Sequence, residues 1–108
     1  MSNNRRIFAI NKKIQSELSD STAAIHYNGE CVLFGVMIGT DGTNDVTINV
    51  YDGIDDTGDV AYTPNIKIQG SAGLVYISPE SILMTTGIFI TAEVDNDGVC
   101  YHRAYYDK

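Results

Sequence analysis

Asp45-Val46-Thr47-Ile48-Asn49-Val50-Tyr51 decides the fold class. Val46, Ile48 and Val50 fall on one side of an extended chain, and Thr47, Asn49 and Tyr51 on the other. A period of two with one apolar face predicts a strand half-buried in a sheet. Gly87–Asp95 repeats the pattern: Ile88, Ile90, Ala92 and Val94 face in, and Phe89, Thr91 and Glu93 face out. Cys31–Thr40 is apolar on both faces, with Val32, Phe34, Val36 and Ile38 on one and Leu33, Gly35, Met37 and Gly39 on the other. A strand of that kind is covered on both sides.

Outward from these three runs the chain keeps a β vocabulary. Thr22–Tyr27 leads into Asn28-Gly29, a pair that tolerates positive φ in a tight turn. Asp41–Asn44 and Asn96-Asp97-Gly98 read as turns, and Val99–Asp107 as a closing strand. Weaker segments lie at Val60–Tyr62, Asn65–Gln69, Gly73–Ile77 and Ile82–Met84, the last a short strand or one helical turn. About seven to nine strands with turn signals roughly every 8–12 residues predict an all-β antiparallel sandwich, with a jelly roll as the preferred form.

Residues 1–20 differ. Ile7, Ile10, Ile14 and Leu18 are spaced near a helical period, whereas Arg6–Asn11 reads equally as extended. The chain therefore divides into an extended or partly helical N-terminal arm, 1–20, and a sandwich domain, 21–108. The length of 108 residues allows one domain. The first 20 residues lack the apolar core of a secretion signal, and no apolar run approaches the roughly 20 residues of a membrane helix. The expectation is no membrane association.

Charge is split along the chain. Arg5, Arg6, Lys12 and Lys13 face only Glu17 and Asp20 in the arm. Beyond it, Lys67, Arg103 and Lys108 stand against twelve acidic side chains. An acidic body repels phosphate backbones, so no nucleic acid is expected on it. Cys31 and Cys100 sit in apolar runs and read as buried free thiols.

Residues with catalytic potential are few. There is no Gly-x-Ser-x-Gly, and His26 and His102 both fall inside strands, where they read as core or surface histidines. Cys100 and His102 share a strand face about 7 Å apart, which by itself positions no base. Two Cys and two His match no zinc pattern. Asp52, Asp55, Asp56 and Asp59 crowd one loop, and Asp95 and Asp97 another. Such carboxylates suit calcium, but Asp is also a turn former. Glu17, Glu30, Glu80 and Glu93 are scattered. The expectation is no enzyme, no metal and no cofactor.

Surface chemistry is more suggestive. Leu33, Met37, Tyr51, Phe89 and Tyr106 stand opposite the faces assigned to a core, so they form a candidate subunit interface. Tyr101, Tyr105 and Tyr106 would alternatively stack on sugars.

Val46–Gly58 (Val-Thr-Ile-Asn-Val-Tyr-Asp-Gly-Ile-Asp-Asp-Thr-Gly), Gly87–Val94, Leu33–Thr40 and the Tyr-Tyr-Asp ending resemble the strands of small jelly-roll structural proteins of tailed bacteriophages. The resemblance covers residues 31–107. It implies a non-enzymatic virion protein, of head decoration or cement type, made in the host cytoplasm and placed on the capsid surface. Its implied partners are the major capsid protein or other virion proteins, and further copies of itself, a trimer being favoured. The basic arm departs from the family, and Arg5, Arg6, Ile7, Phe8 and Ile10 are its candidate capsid anchors. The alternatives are a head–tail or tail-fibre adaptor, and a carbohydrate- or calcium-binding module for a host surface.

Overall fold

The computed structural model describes residues 14–78 and 80–108. The candidate anchors Arg5, Arg6, Ile7, Phe8 and Ile10 lie outside them. The described chain forms ten strands: β1 (Ile14–Gln15), β2 (Ala23–Asn28), β3 (Cys31–Thr40), β4 (Val46–Asp52), β5 (Asp59–Val60), β6 (Ile66–Ile68), β7 (Leu74–Ile77), β8 (Ile82–Met84), β9 (Gly87–Val94) and β10 (Cys100–Asp107). Two short 3₁₀ turns, Gly70–Ala72 and Asp95–Asp97, are the only helical pieces among the described residues.

The strands make two antiparallel sheets. The first runs β1-β10-β3-β7, with β8 also on β3, and the second runs β2-β9-β4-β5, with β6 also on β4. The all-β sandwich expected from the alternating runs is what the chain forms. Val46, Ile48 and Val50 from β4, and Ile88, Ile90 and Ala92 from β9, meet Leu33, Val36, Ile38, Ala104 and Tyr106 from the first sheet in one core.

Two β-bulges redirect side chains. In the β3–β10 ladder, Gly35 pairs with Tyr105 while Leu33 pairs with Tyr106, so Phe34 is an extra residue. An inserted residue reverses which parity faces inward. Cys31 and Leu33 are therefore buried before the bulge, and Val36 and Ile38 after it. This corrects the reading of Leu33 as an interface residue: it is fully buried in the core. Tyr106 is likewise core, stacked on Tyr27 with ring centroids 4.7 Å apart. Met37, Tyr51 and Phe89 do occupy outer faces, half-buried. Gly35 itself is required by packing, because a Cβ there would sit 2.7 Å from the Ile77 carbonyl oxygen.

The second bulge is at His26. Ile25 pairs with Phe89 and Tyr27 with Ile88, which leaves His26 between them without a ladder partner.

The boundary at residue 20 also needs correction. Ile14 and Gln15 pair with Tyr106 and Tyr105, and Ser19 bridges to His102. Residues 14–20 thus complete the edge of the first sheet, giving β10's outer peptide groups hydrogen-bond partners. They form no helical turn. Cys31 and Cys100 are both free and buried. They sit at opposite ends of β3, since Cys100 pairs with Thr40. Ten residues of strand hold them roughly 30 Å apart, far beyond disulfide reach.

Candidate functional site

Among the described residues, the outer face of the first sheet exposes several large apolar side chains. Its rows follow from the ladders. Tyr101, Gly39 and Leu74 lie side by side, and Arg103, Met37 and Tyr76 form the next row. Tyr105 and Gly35 begin a third. Leu74 and Tyr76 are 55% and 61% exposed, Tyr101 is 41% exposed, and Leu83 on β8 is 61% exposed. Ordinary antiparallel sheets turn such a face polar. Here aliphatic and aromatic side chains meet water in adjacent rows, which marks an interaction surface.

A cleft of about 260 Å³ opens in this face above Gly35, walled by Tyr76, Tyr105 and Ser78. The Tyr76 and Tyr105 rings stand 6.3 Å apart and are tilted by 41°. They do not form the flat shared platform that sugar stacking uses. The aspartate-rich loop that would have to flank such a platform joins β4 to β5 in the other sheet.

The aspartates serve the fold. Asp52 Oδ1 accepts from the Thr86 and Gly87 amides, at 2.8 and 3.3 Å. Its Oδ2 accepts from the Thr85 amide and hydroxyl, at 2.9 and 3.0 Å. Burial works to raise its pKa, but these bonds outweigh burial and hold it below the usual carboxylate value. With both oxygens occupied, Asp52 pins the β8–β9 turn to the end of β4 and has little to offer a cation. Among the described residues no group of three or more His, Cys, Asp or Glu converges as a metal site would require. Replacing Asp52 by alanine leaves those amides unpaired, and we expect a loss of about 1–2 kcal/mol in urea unfolding.

A second constellation was not read from the sequence. Ser16 on the first sheet's edge, His26 on the second sheet and His102 on the first form a hydrogen-bonded chain. Ser16 Oγ lies 2.6 Å from His26 Nδ1, and His26 Nε2 lies 2.7 Å from His102 Nδ1. His102 Nε2 lies 2.8 Å from the Ser21 carbonyl oxygen. That carbonyl only accepts, so His102 Nε2 carries the proton and its Nδ1 is bare. His26 Nε2 must then donate to His102, and His26 Nδ1 accepts from the Ser16 hydroxyl. The Ser16 oxygen in turn accepts the Ala104 amide at 2.8 Å. Every position in the chain is assigned, and both rings are neutral.

Burial, then the charges of His102 and Arg103, lower the pKa of His26 to about 4. Burial lowers that of His102 too, against its bond to Ser21. A serine bonded to an imidazole that is itself oriented by another group is the order of a nucleophilic relay. Ser16, however, is only 7% exposed. It is not a wall of the neighbouring cleft, which Glu17–Asp20 and Ala24–His26 form. The geometry suits a lock between the sheets. The His26 bulge produces it by turning both His26 and Tyr27 toward the first sheet.

Comparison with known protein families, with curated proteins and with solved structures finds no match.

Proposed function

We propose that this protein is a non-enzymatic assembly module, a structural protein of the bacteriophage virion of the head decoration or cement type. The observation that carries the reading is the exposed apolar face of Leu74, Tyr76 and Tyr101. A sandwich of this size has one core to fill, and here it is filled from the inner faces alone. A second, exposed apolar face is the mark of a surface that a partner covers.

Strand order supports the jelly-roll form that the family resemblance implies. β5 and β6 both pair with β4, and β7 and β8 both pair with β3. Taking each couple as one interrupted strand leaves eight strands, ordered 1-8-3-6 in one sheet and 2-7-4-5 in the other. Eight strands in two sheets with that order support a jelly roll.

In this reading the outer face of the first sheet binds neighbouring copies, a closed trimer being the preferred assembly. The basic segment that precedes β1 spreads over the major capsid protein. Many weak contacts around a lattice then add up by avidity, and the shell is stabilised mechanically. The acidic body suits a place outside packaged DNA. Purified particles from a lysate in which the chain is expressed provide the test. Quantitative mass spectrometry should find it in fixed proportion to the major capsid protein. Particles free of it would refute a virion role.

A further inference from the structure

Among the described residues the apolar face contains one cation, Arg103. Of the three basic side chains among the described residues, Lys67 pairs with Asp45 at 3.5 Å. Lys108 lies 5.7 Å from the centre of the Tyr27 ring. Arg103 meets no carboxylate: its polar contact is with Gln15 Oε1 at 3.3 Å, and its Nε is buried without a hydrogen-bond partner. A guanidinium is shaped to grip a carboxylate, and this one meets none.

Next along β10, Tyr105 and Tyr76 flank the cleft above Gly35. Its volume of about 260 Å³ is under the roughly 300–1,000 Å³ of small-molecule sites. It suits a single side chain. The face therefore asks for an aliphatic group and a carboxylate close together on a projecting segment.

The chain carries such a segment in the β4–β5 loop. Ile54 is 42% exposed at its tip, and Asp55 and Asp56 follow it in the open. Asp55 uses Oδ1 on the Thr57 amide and hydroxyl. Asp56 makes no hydrogen bond or ion pair within the described chain. The loop extends from the second sheet, whereas Arg103 lies on the far side of the first.

We propose that the outer face of the first sheet docks the β4–β5 loop of a second copy, with Ile54 in the Tyr76–Tyr105 cleft and Asp56 paired with Arg103. The inference rests on the assembly reading and adds the segment that covers the face. Two different surfaces meet, so copies join head to tail and close into a ring where the rotation allows. The central rows of the face carry no acid, so pairing two such faces over those rows would set arginine against arginine.

Charge reversal tests this in the full-length chain. Arg103→Glu and Asp56→Arg should each weaken self-association at least about tenfold by sedimentation equilibrium, with thermal unfolding monitored to confirm folding. Mixing the two variants should restore association with the two chains alternating, because each reversed charge then meets its opposite. Both reversals in one chain should restore association. Suppose that Leu74→Ser with Tyr76→Ser abolishes association while neither reversal changes it. The docking is then wrong and the assembly reading stands. Wild type that stays at monomer mass at every concentration overturns both.

Discussion

Acidification from pH 6.5 to pH 4 is expected to remove about 3 kcal/mol of folding stability through His26. In the unfolded chain His26 takes up its proton near pH 6.5; in the folded chain it does so only near 4. Between these values the unfolded state binds more protons, so stability falls as pH falls. The contribution is complete above 6.5 and is lost by about 4. His102, shifted in the same direction, adds to the slope. Small domains are stable by roughly 5–15 kcal/mol, so the loss is a large share. The melting temperature should drop by roughly 10–20 °C across this interval.

The groups around His26 account for the effect. It faces His102 from β10 and Ser16 just after β1, with the Arg103 charge nearby and the Glu17–Asp20 segment lining the adjoining cleft. One extra proton on His26 Nδ1 can be accommodated if the Ser16 hydroxyl turns to the Glu17 carbonyl, 3.4 Å away. A second puts N–H against N–H across 2.7 Å. The double variant His26→Gln, His102→Gln should unfold at nearly the same urea midpoint from pH 6.5 to 4.5. An unchanged slope in that variant would show that other groups cause the acid loss.

Core burial after the bulge gives the other large effect. Leu33→Ala is expected to cost about 2–5 kcal/mol, since it opens a cavity in a fully buried site. Met37→Ala, measured below the concentration at which copies associate, should cost less than about 1 kcal/mol. A straight β3 would put Leu33 and Met37 on one face and make the two losses alike. The difference between the variants therefore reports the inserted Phe34 directly.

That inserted residue also explains what the sequence could and could not tell. β4 and β9 were legible because each is regular and half-buried, so Val46, Ile48, Val50 and Ile88, Ile90, Ala92 point inward as their alternation requires. The Asn96-Asp97 turn was legible through residues that accept positive φ, and both adopt it. β3 was misread because both of its parities are apolar, which leaves no polarity signal to locate a slip. The His26 bulge is silent for the same reason, lying between Ile25 and Tyr27. Residues 14–20 were placed in the arm because two paired residues in β1 are too short to show a period.

Of the candidate interface, Met37 lies on the outer face of the first sheet, and Tyr51 and Phe89 lie on that of the second. Leu74, Tyr76 and Leu83 were not singled out, because strands of three or four residues give no decisive pattern. Ser16, His26 and His102 became a site only when β10 was folded against β2 and the segment after β1, 76 residues separating the two histidines. The nearest sequence hint was that both histidines fall in strands, where a polar ring needs partners.

Light scattering of the full chain over a wide concentration range at pH 7, alongside Leu74→Ser with Tyr76→Ser, tests the central claim most directly. An assembly face predicts that the wild-type mass rises above 11.8 kDa toward a closed oligomer while the double variant stays at 11.8 kDa. Wild type and variant both fixed at the monomer mass would contradict it.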